Sequence, residues 1–305
     1  MVQAKGVLAL FPGQGSQQVG MGRDFYDGLP MGRELFDAAD QRLGFPLSRL
    51  CFDGPLESLT ATEVVQPAIL TVSVICYRAM QTAKPAAVSA AAGHSLGEYS
   101  ALVAAGALRF EDAVLLVHRR GKYMQEAVAR GAGRVVAVLA KEPAEIQAAI
   151  DKTDSGVVQV ANYNAPGQIV VSGAAGAVAG FLEHLGPAKT VELQVSAPFH
   201  CALMEPAARR LASDLDALDI ARAAFPVYSN VTGRALTEPE EIREALKRQV
   251  CGSVRWVDCM QNAIAETQPA EAIEFGAGSV LSNLLKRIDK EVPRRAVAAL
   301  KDLGA

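Results

Sequence analysis

The sequence predicts an α/β protein in which helices cover a mainly parallel sheet and a smaller α+β unit is inserted into the chain. Half of the 305 residues are hydrophobic but only 6% are aromatic, so Ala, Val and Leu must build the core. That composition is typical of helices packed on a buried parallel sheet. Strand and helix patterns alternate over most of the chain. In the middle, two strands follow each other between helices, which indicates a second kind of unit.

The first 129 residues have the alternating pattern. A buried strand at 7–11 leads into the loop PGQGSQ. The elements expected after it are a helix at 65–80, a short buried strand at 86–92, and helices at 96–105 and 111–129. Gly106 suits the end of the helix at 96–105, because glycine readily takes the left-handed conformation that ends many helices.

The order changes after Gly131-Ala132-Gly133. The patterns there predict a helix beginning near Pro143, a helix at 177–185, and strands at 134–139, 157–162, 169–172 and 190–195. This strand-helix-strand-strand-helix-strand order is that of ferredoxin-like folds. We therefore predict a ferredoxin-like α+β small domain at 130–197, inserted into a large α/β domain made of 1–129 and 198–305. The alternation resumes in its second part, with helices expected at 203–218 and 280–288 and strands at 225–229 and 272–275.

Composition and charge exclude several classes of protein. The formal net charge is -3, with acids and bases spread along the chain, so we expect no binding of nucleic acid. The longest apolar runs are broken before about 18 residues, so no membrane-spanning segment is expected, and the run at 7–11 is too short for a signal peptide. The five cysteines are scattered without metal-binding spacing, which predicts a reduced, cytoplasmic protein without a metal site.

The stretch Gly93-His94-Ser95-Leu96-Gly97 matches the G-x-S-x-G pattern of a nucleophilic serine. A short apolar strand precedes it and a helix follows it, which is the context that this pattern requires. The N–H of Leu96 would then point to where an oxyanion forms. The pattern also occurs by chance, and Ser95 could be an ordinary helix N-cap.

A nucleophilic serine needs a base, and His200 is the best candidate of four histidines. His94 is adjacent to the serine and should point away from its hydroxyl, while His118 and His184 lie within predicted helices. His200 lies where the chain leaves the predicted small domain, and sites favour such junctions. It could also be an ordinary structural histidine. No acid is marked as a third member of a triad, but a backbone carbonyl could orient the imidazole instead.

Cys201 follows this histidine and could itself be a nucleophile. Free cysteine is more often a small buried apolar group. We therefore favour Ser95.

Arg120 occupies an unusual position on the helix predicted at 111–129. At about 100° per residue, it lies in the middle of the apolar face, among Ala113, Leu116, Val117, Tyr123, Met124 and Ala127. A buried guanidinium needs a partner, and its planar fork suits a carboxylate. That carboxylate could belong to the protein, as an internal salt bridge, or to a substrate. Together with a nucleophilic serine, the second alternative predicts selection of an acyl group that carries a free carboxylate.

Several further motifs accompany these residues. They are LFPGQGSQ at 10–17, QPA at 66–68, GHSLGEY at 93–99, RGK at 120–122 with MQ at 124–125, N-x-N-x-PGQ at 162–168, FH at 199–200 with Met204, VRW at 254–256 and E-x-G-x-G at 274–278. In this order, and over nearly the whole chain, they resemble the acyltransferase domains of fatty acid and polyketide synthases, and in particular the malonyl-CoA:acyl-carrier-protein transacylases.

The resemblance implies a role for each residue already singled out. Ser95 would be the acylated nucleophile and His200 its base. Arg120 would pair with the malonyl carboxylate. Gln14 would complete the oxyanion hole with the N–H of Leu96.

The resemblance also implies that the backbone carbonyl of Arg255 holds His200 and that Phe199 favours malonyl over substituted acyl groups. The family's fold is a hydrolase-like core with an inserted ferredoxin-like domain, which agrees with the strand order above. No metal or cofactor is needed.

The implied partners are malonyl-CoA and an acidic, phosphopantetheinylated acyl carrier protein, and a monomer is expected. Such a carrier would dock on a basic patch, for which the candidates are Arg119, Lys122, Arg130, Lys286 and Arg287. They could equally be ordinary solvated charges. An esterase with water as acceptor and a non-catalytic docking subunit remain as alternatives. The pathway could be fatty acid synthesis, polyketide synthesis in trans or a malonate decarboxylase system.

Overall fold

The computed structural model describes residues 6–154, 156–193, 195 and 197–304. Its strands are β1 (Val7–Phe11), β2 (Val88–Gly93), β3 (Gly133–Leu139), β4 (Val158–Ala165), β5 (Gln168–Ala174), β6 (Lys189–Glu192), β7 (Val227–Tyr228), β8 (Ala235–Leu236), β9 (Glu271–Phe275) and β10 (Arg294–Val297). The α-helices are α1 (Arg23–Gly28), α2 (Pro30–Leu43), α3 (Leu47–Asp53), α4 (Leu56–Thr60), α5 (Thr62–Ala83), α6 (Gly97–Ala104), α7 (Phe110–Glu126), α8 (Pro143–Asp151), α9 (Ala175–Leu185), α10 (Glu205–Asp216), α11 (Pro239–Gln249), α12 (Trp256–Thr267) and α13 (Val280–Ile288).

A six-stranded sheet forms the core, in the order β10-β9-β1-β2-β7-β8. Its neighbouring strands are parallel except for the antiparallel pair β7–β8. Every residue of β1 is buried, as expected of a strand covered by helices on both faces. Because β1 and β2 are parallel, the loop after Phe11 and the turn after Gly93 meet at one edge of the sheet. In open α/β sheets, this carboxyl edge is where ligands bind.

The second sheet has the order β4-β5-β3-β6, and all its neighbouring strands are antiparallel. Helices α8 and α9 pack on it through Ile146 and Phe181, which share an apolar cluster with strand residues such as Val171. The predicted strand-helix-strand-strand-helix-strand order is therefore confirmed. The last strand ends at Glu192, earlier than predicted, and residues 194 and 196 lie outside the described part of the chain. The division into domains at 130 and 197 stays a prediction.

Helix α5 differs from the sequence-based expectation. It runs three residues further than predicted at each end, and by length and composition alone it could cross a membrane, whereas we expected no such segment. In its most apolar 18-residue window, 78% of the residues are buried inside the fold. Its neighbours there include α6 and α7, so in this structure it is a core helix.

Several further elements also differ from the sequence-based expectation. Helices α1 to α4, α11 and α12, and strands β8 and β10, were not predicted. The helix expected at 203–218 is a 3₁₀ turn, Ala202–Met204, followed by α10. Pro206 lies at the start of α10, where a helix tolerates the missing N–H of proline.

Candidate active site

Ser95 lies on the sharp turn between β2 and α6, with a φ of 52°. The two glycines of the motif make this turn possible. A Cβ on Gly93 would lie 1.8 Å from the carbonyl carbon of Gly97, and a Cβ on Gly97 would lie 2.0 Å from the carbonyl oxygen of Phe11. A side chain on Gly93 would therefore push the start of α6 away from β2, and one on Gly97 would push it away from β1. The strained φ of a non-glycine residue at such a turn is a frequent feature of functional sites.

The serine hydroxyl is hydrogen-bonded to the predicted base. Ser95 Oγ lies 2.7 Å from His200 Nε2. On the other side of the ring, Nδ1 lies 3.0 Å from the carbonyl oxygen of Gln249 and 3.1 Å from that of Gly252. Carbonyls only accept, so Nδ1 carries the proton and Nε2 is free to accept the proton of Ser95. Burial, assisted by the charge of Arg120, lowers the pKa of His200 to about 3.

The assignment of Arg255 as the residue that holds His200 is wrong. Its carbonyl accepts a hydrogen bond from the N–H of Cys259 in the first turn of α12, whereas the carbonyls at His200 Nδ1 are those of Gln249 and Gly252. Gln249 is the last residue of α11, and the last carbonyls of a helix have no partner within it. The geometry thus explains why a helix end, rather than a triad acid, orients the imidazole.

Arg120 projects from the apolar face of α7 and is 1% exposed. Its Nη1 donates to Gln66 Oε1 at 2.8 Å, and its Nη2 donates to Gln249 Oε1 at 3.0 Å and to Ser95 Oγ at 3.2 Å. The guanidinium also lies over the ring of Tyr99, 5.4 Å from its centre. Within the described part of the chain, Arg120 forms no salt bridge with an Asp or Glu. The alternative of an internal salt bridge is therefore wrong, and the positive charge remains available to a ligand.

The predicted site residues, apart from Arg255, line one cavity of about 130 Å³. An apolar protein cavity of about 150 Å³ can hold benzene, so this space suits an acyl group of a few atoms. Gln14 follows β1 and Leu96 follows β2, so the two proposed oxyanion donors approach from neighbouring loops. The cavity wall includes Gln14, Gln66, His94, Ser95, Leu96, Arg120, Asn162, Phe199 and His200.

Three polar residues that sequence reasoning missed hold this arrangement. The side chain of Asn230 accepts the N–H of Ser95 at 2.6 Å and donates to the carbonyl of Gly93 at 2.7 Å. The Gln249 amide donates to the carbonyl of Ser95 at 2.9 Å. Asn230 and Gln249 lie 135 and 154 residues from the serine and stand in no motif. The third residue, Glu98, did stand in the GHSLGEY motif, which was its only signal.

The remaining residues considered in the sequence analysis have no part in the hydrogen bonds that the structure describes for Ser95. His94 is partly buried and its Nε2 lies 2.7 Å from Asn164 Oδ1, consistent with the expectation that it does not serve Ser95. Cys201 is also buried, and its thiol donates to the carbonyl of Pro198. Burial raises the pKa of that thiol, which argues against a thiolate nucleophile. Arg119, a proposed basic contact, forms a salt bridge with Asp214 at 2.7 Å.

Known proteins share this fold and sequence. The model of the acyl transferase domain family matches residues 9–302. A malonyl CoA-acyl carrier protein transacylase of Bacillus subtilis is 44% identical over 299 residues, which cover 96% of this chain and 93% of that protein. An acyl carrier protein S-malonyltransferase crystal structure from Vibrio cholerae superposes with a TM-score of 0.94 at 40% identity, covering 98% of each chain.

A further structure is that of a malonyl-transacylase in complex with its type II PKS acyl-carrier protein. It has a TM-score of 0.94 and 39% identity, and the match covers 98% of this chain and 97% of that one. With the family model spanning nearly all of its length, this chain belongs to the acyl transferase domain family.

Proposed function

We propose that this enzyme transfers a malonyl group from malonyl-CoA to the phosphopantetheine thiol of an acyl carrier protein, through an ester on Ser95. One observation carries the proposal. The Arg120 guanidinium is buried, held by two amide oxygens, and 3.2 Å from Ser95 Oγ. A fixed cation beside the nucleophile, without a protein carboxylate bonded to it, selects an acyl group that ends in a carboxylate.

In the first half-reaction, His200 Nε2 takes the proton of Ser95 as Oγ attacks the thioester carbonyl. The tetrahedral oxyanion receives hydrogen bonds from the N–H of Leu96 and from Gln14. One such donor is typically worth about 3–4 kcal/mol of transition-state stabilisation. The intermediate then collapses, the C–S bond breaks, and the imidazolium of His200 returns its proton to the leaving CoA thiolate. The product is malonyl-Ser95 and free CoA.

The second half-reaction reverses these steps with a different thiol. His200 accepts the proton of the carrier's phosphopantetheine thiol, whose sulfur attacks the malonyl-Ser95 ester. Collapse of the second tetrahedral intermediate returns the proton to Ser95 Oγ and releases malonyl-carrier protein. The carrier complex of the related malonyl-transacylase supports this choice of acceptor.

Two side chains define the acyl group. Arg120 would pair with the malonyl carboxylate once Ser95 is acylated, because its Nη2 already reaches the hydroxyl. Phe199 lies on the wall of the same cavity, where its ring would limit the space for a substituent on the malonyl methylene. We propose that the enzyme works as a monomer in cytoplasmic fatty acid or polyketide synthesis.

The test separates transfer from hydrolysis. The protein is mixed with radiolabelled malonyl-CoA, and label is followed on protein, on added holo acyl carrier protein and as free malonate. We expect label on the protein first and then on the carrier, with little malonate. Rapid release of malonate without transfer to any carrier would identify a hydrolase instead. No covalent label at all would indicate a non-catalytic docking subunit.

A further inference from the structure

Glu98 is a buried acid to which the mechanism above gives no role. It is the second residue of α6 and is 2% exposed. Within the described ranges it belongs to no salt bridge. An acid in such a place is costly unless hydrogen bonds satisfy it. Its partners therefore indicate what it does.

The first partner is the amide of Gln249. Glu98 Oε2 accepts from Gln249 Nε2 at 2.7 Å. A carboxylate only accepts hydrogen bonds, so the NH₂ group of the Gln249 amide must face Glu98. The amide oxygen then faces Arg120, whose Nη2 donates to it at 3.0 Å. The backbone carbonyl of the same Gln249 receives the His200 Nδ1 proton. One residue thus contacts both the base and the cation, and Glu98 and the carbonyl of Ser95 together hold its NH₂ group.

The second partner is the backbone of Asn230. Glu98 Oε2 also accepts the Asn230 N–H, at 3.1 Å. The side chain of Asn230 in turn holds the N–H of Ser95 and the carbonyl of Gly93. Gly93 and Ser95 are therefore linked through Asn230 to Glu98 Oε2. The same oxygen is linked to the base His200 through Gln249.

Glu98 also interacts electrostatically with Arg120 without contacting it. Burial raises the pKa of Glu98 to about 7, against the opposing effects of its hydrogen bonds and of the Arg120 charge. The two groups are joined through the Gln249 amide rather than by direct contact. The side of the guanidinium that faces Ser95 is thus not occupied by the Glu98 carboxylate.

We propose that Glu98 is a positioning residue for acyl transfer, which holds Gln249 and Asn230 so that Ser95, His200 and Arg120 keep one geometry. The proposal rests on the proposed function for its substrate. Its central claim concerns the reactivity of Ser95 and does not depend on which acyl group is transferred.

The test uses the full chain with Glu98→Gln, which keeps the shape of the side chain and removes its charge. Ser95 reactivity is measured as the labelling rate with a fluorophosphonate probe, which needs the serine and its base but no carboxylate. The amide oxygen of this variant can still accept both hydrogen bonds but carries no charge. A hydrogen bond to a charged group is stronger than a neutral one by about tenfold in an equilibrium or rate, so we expect labelling to slow about tenfold. In malonyl transfer, kcat should fall by a similar factor with little change in KM.

Glu274→Gln is the matched control. Glu274 is also buried, and its carboxylate accepts the N–H groups of Leu281 and Ser282 at the start of α13, so it tests the loss of a buried acid elsewhere. Its labelling rate should stay within twofold of wild type. Labelling of Glu98→Gln within twofold of wild type, or an equal loss in both variants, would overturn the proposal.

A double-mutant cycle tests whether Glu98 acts through Gln249. If it does, the loss in the variant carrying both Glu98→Gln and Gln249→Ala is well below the product of the single losses. Independent, multiplying losses would contradict it. If Glu98→Gln does not fold, Glu98→Asp replaces it in the test. Aspartate keeps the charge but is one methylene shorter, so its carboxylate no longer reaches Gln249 and Asn230, and labelling should slow likewise. If wild type labels rapidly but transfers no malonyl group, the proposed function fails while the role of Glu98 is still measured.

Discussion

Arg120 lies on α7 and Ser95 on the turn between β2 and α6, yet the guanidinium Nη2 donates a hydrogen bond to the serine Oγ at 3.2 Å. The same oxygen lies 2.7 Å from His200 Nε2. The hydroxyl thus lies between His200, which takes its proton, and Arg120, which attracts the carboxylate of the acyl group. This relationship links the chemistry of the serine to the choice of substrate.

Arg120→Ala should lose malonyl transfer far more than acetyl transfer. Only the malonyl group presents a carboxylate, and hydrogen bonds to a charged group are worth about 1.5–3 kcal/mol, or roughly tenfold to hundredfold in rate. The rates of adduct formation from malonyl-CoA and acetyl-CoA measure the difference. Arg119→Ala is the control, because that neighbouring arginine faces outward to Asp214 and its loss should leave both rates unchanged. Equal losses for both acyl groups would make Arg120 structural.

Ser95→Ala should abolish the covalent malonyl adduct. Removal of Oγ leaves His200 without a hydroxyl to activate. Intact-protein mass spectrometry after mixing with malonyl-CoA measures the adduct. Ser100→Ala is a matched control, since Ser100 is a buried serine of α6, the helix that follows Ser95, and its loss should leave adduct formation unchanged. An adduct that survives in Ser95→Ala would place the nucleophile elsewhere.

His200 should remain neutral at pH values where an ordinary histidine is protonated. Its pKa is lowered to about 3, first by burial and then by the charge of Arg120, against about 6.5 in the unfolded chain. Between these values the unfolded state binds a proton that the folded state does not, so this group makes the free energy of unfolding fall as the pH drops from 6.5 to 3. An NMR titration of the imidazole nitrogens should show no protonation of His200 from pH 8 to pH 5. A midpoint near 6.5 would contradict the lowering of this pKa by burial and by Arg120.

Gly97→Ala should destabilise the fold. The new Cβ would meet the carbonyl oxygen of Phe11 at 2.0 Å, so the turn or β1 must move, at a cost of about 3 kcal/mol or more. Chemical denaturation measures the loss. The control is Gly180→Ala in α9, where the nearest atom to a new Cβ is a Thr153 methyl at 3.7 Å. There we expect a gain of about 0.5–1 kcal/mol, because alanine favours a helix. Similar stabilities of the two variants would mean that the turn is not packed against β1.

Local pattern was enough to predict much of this protein from its sequence. The apolar strand at 7–11, the G-x-S-x-G turn and the split order of the second sheet are each specified by neighbouring residues. Arg120 was identified because a helical period of 3.6 residues puts it among apolar side chains, and it is indeed buried. These features depend on contacts close in sequence, where residue order determines geometry.

Only the tertiary structure decided which groups complete the site. Gln249 lies at the end of a helix that the sequence pattern did not predict, and its backbone carbonyl, not that of Arg255, receives the His200 proton. A backbone carbonyl is common to every residue, so side-chain identity carries no signal for this role. Asn230 and Glu98 are joined across 132 residues by the packing of the sheet. Such contacts depend on how distant elements pack, which local sequence patterns do not encode.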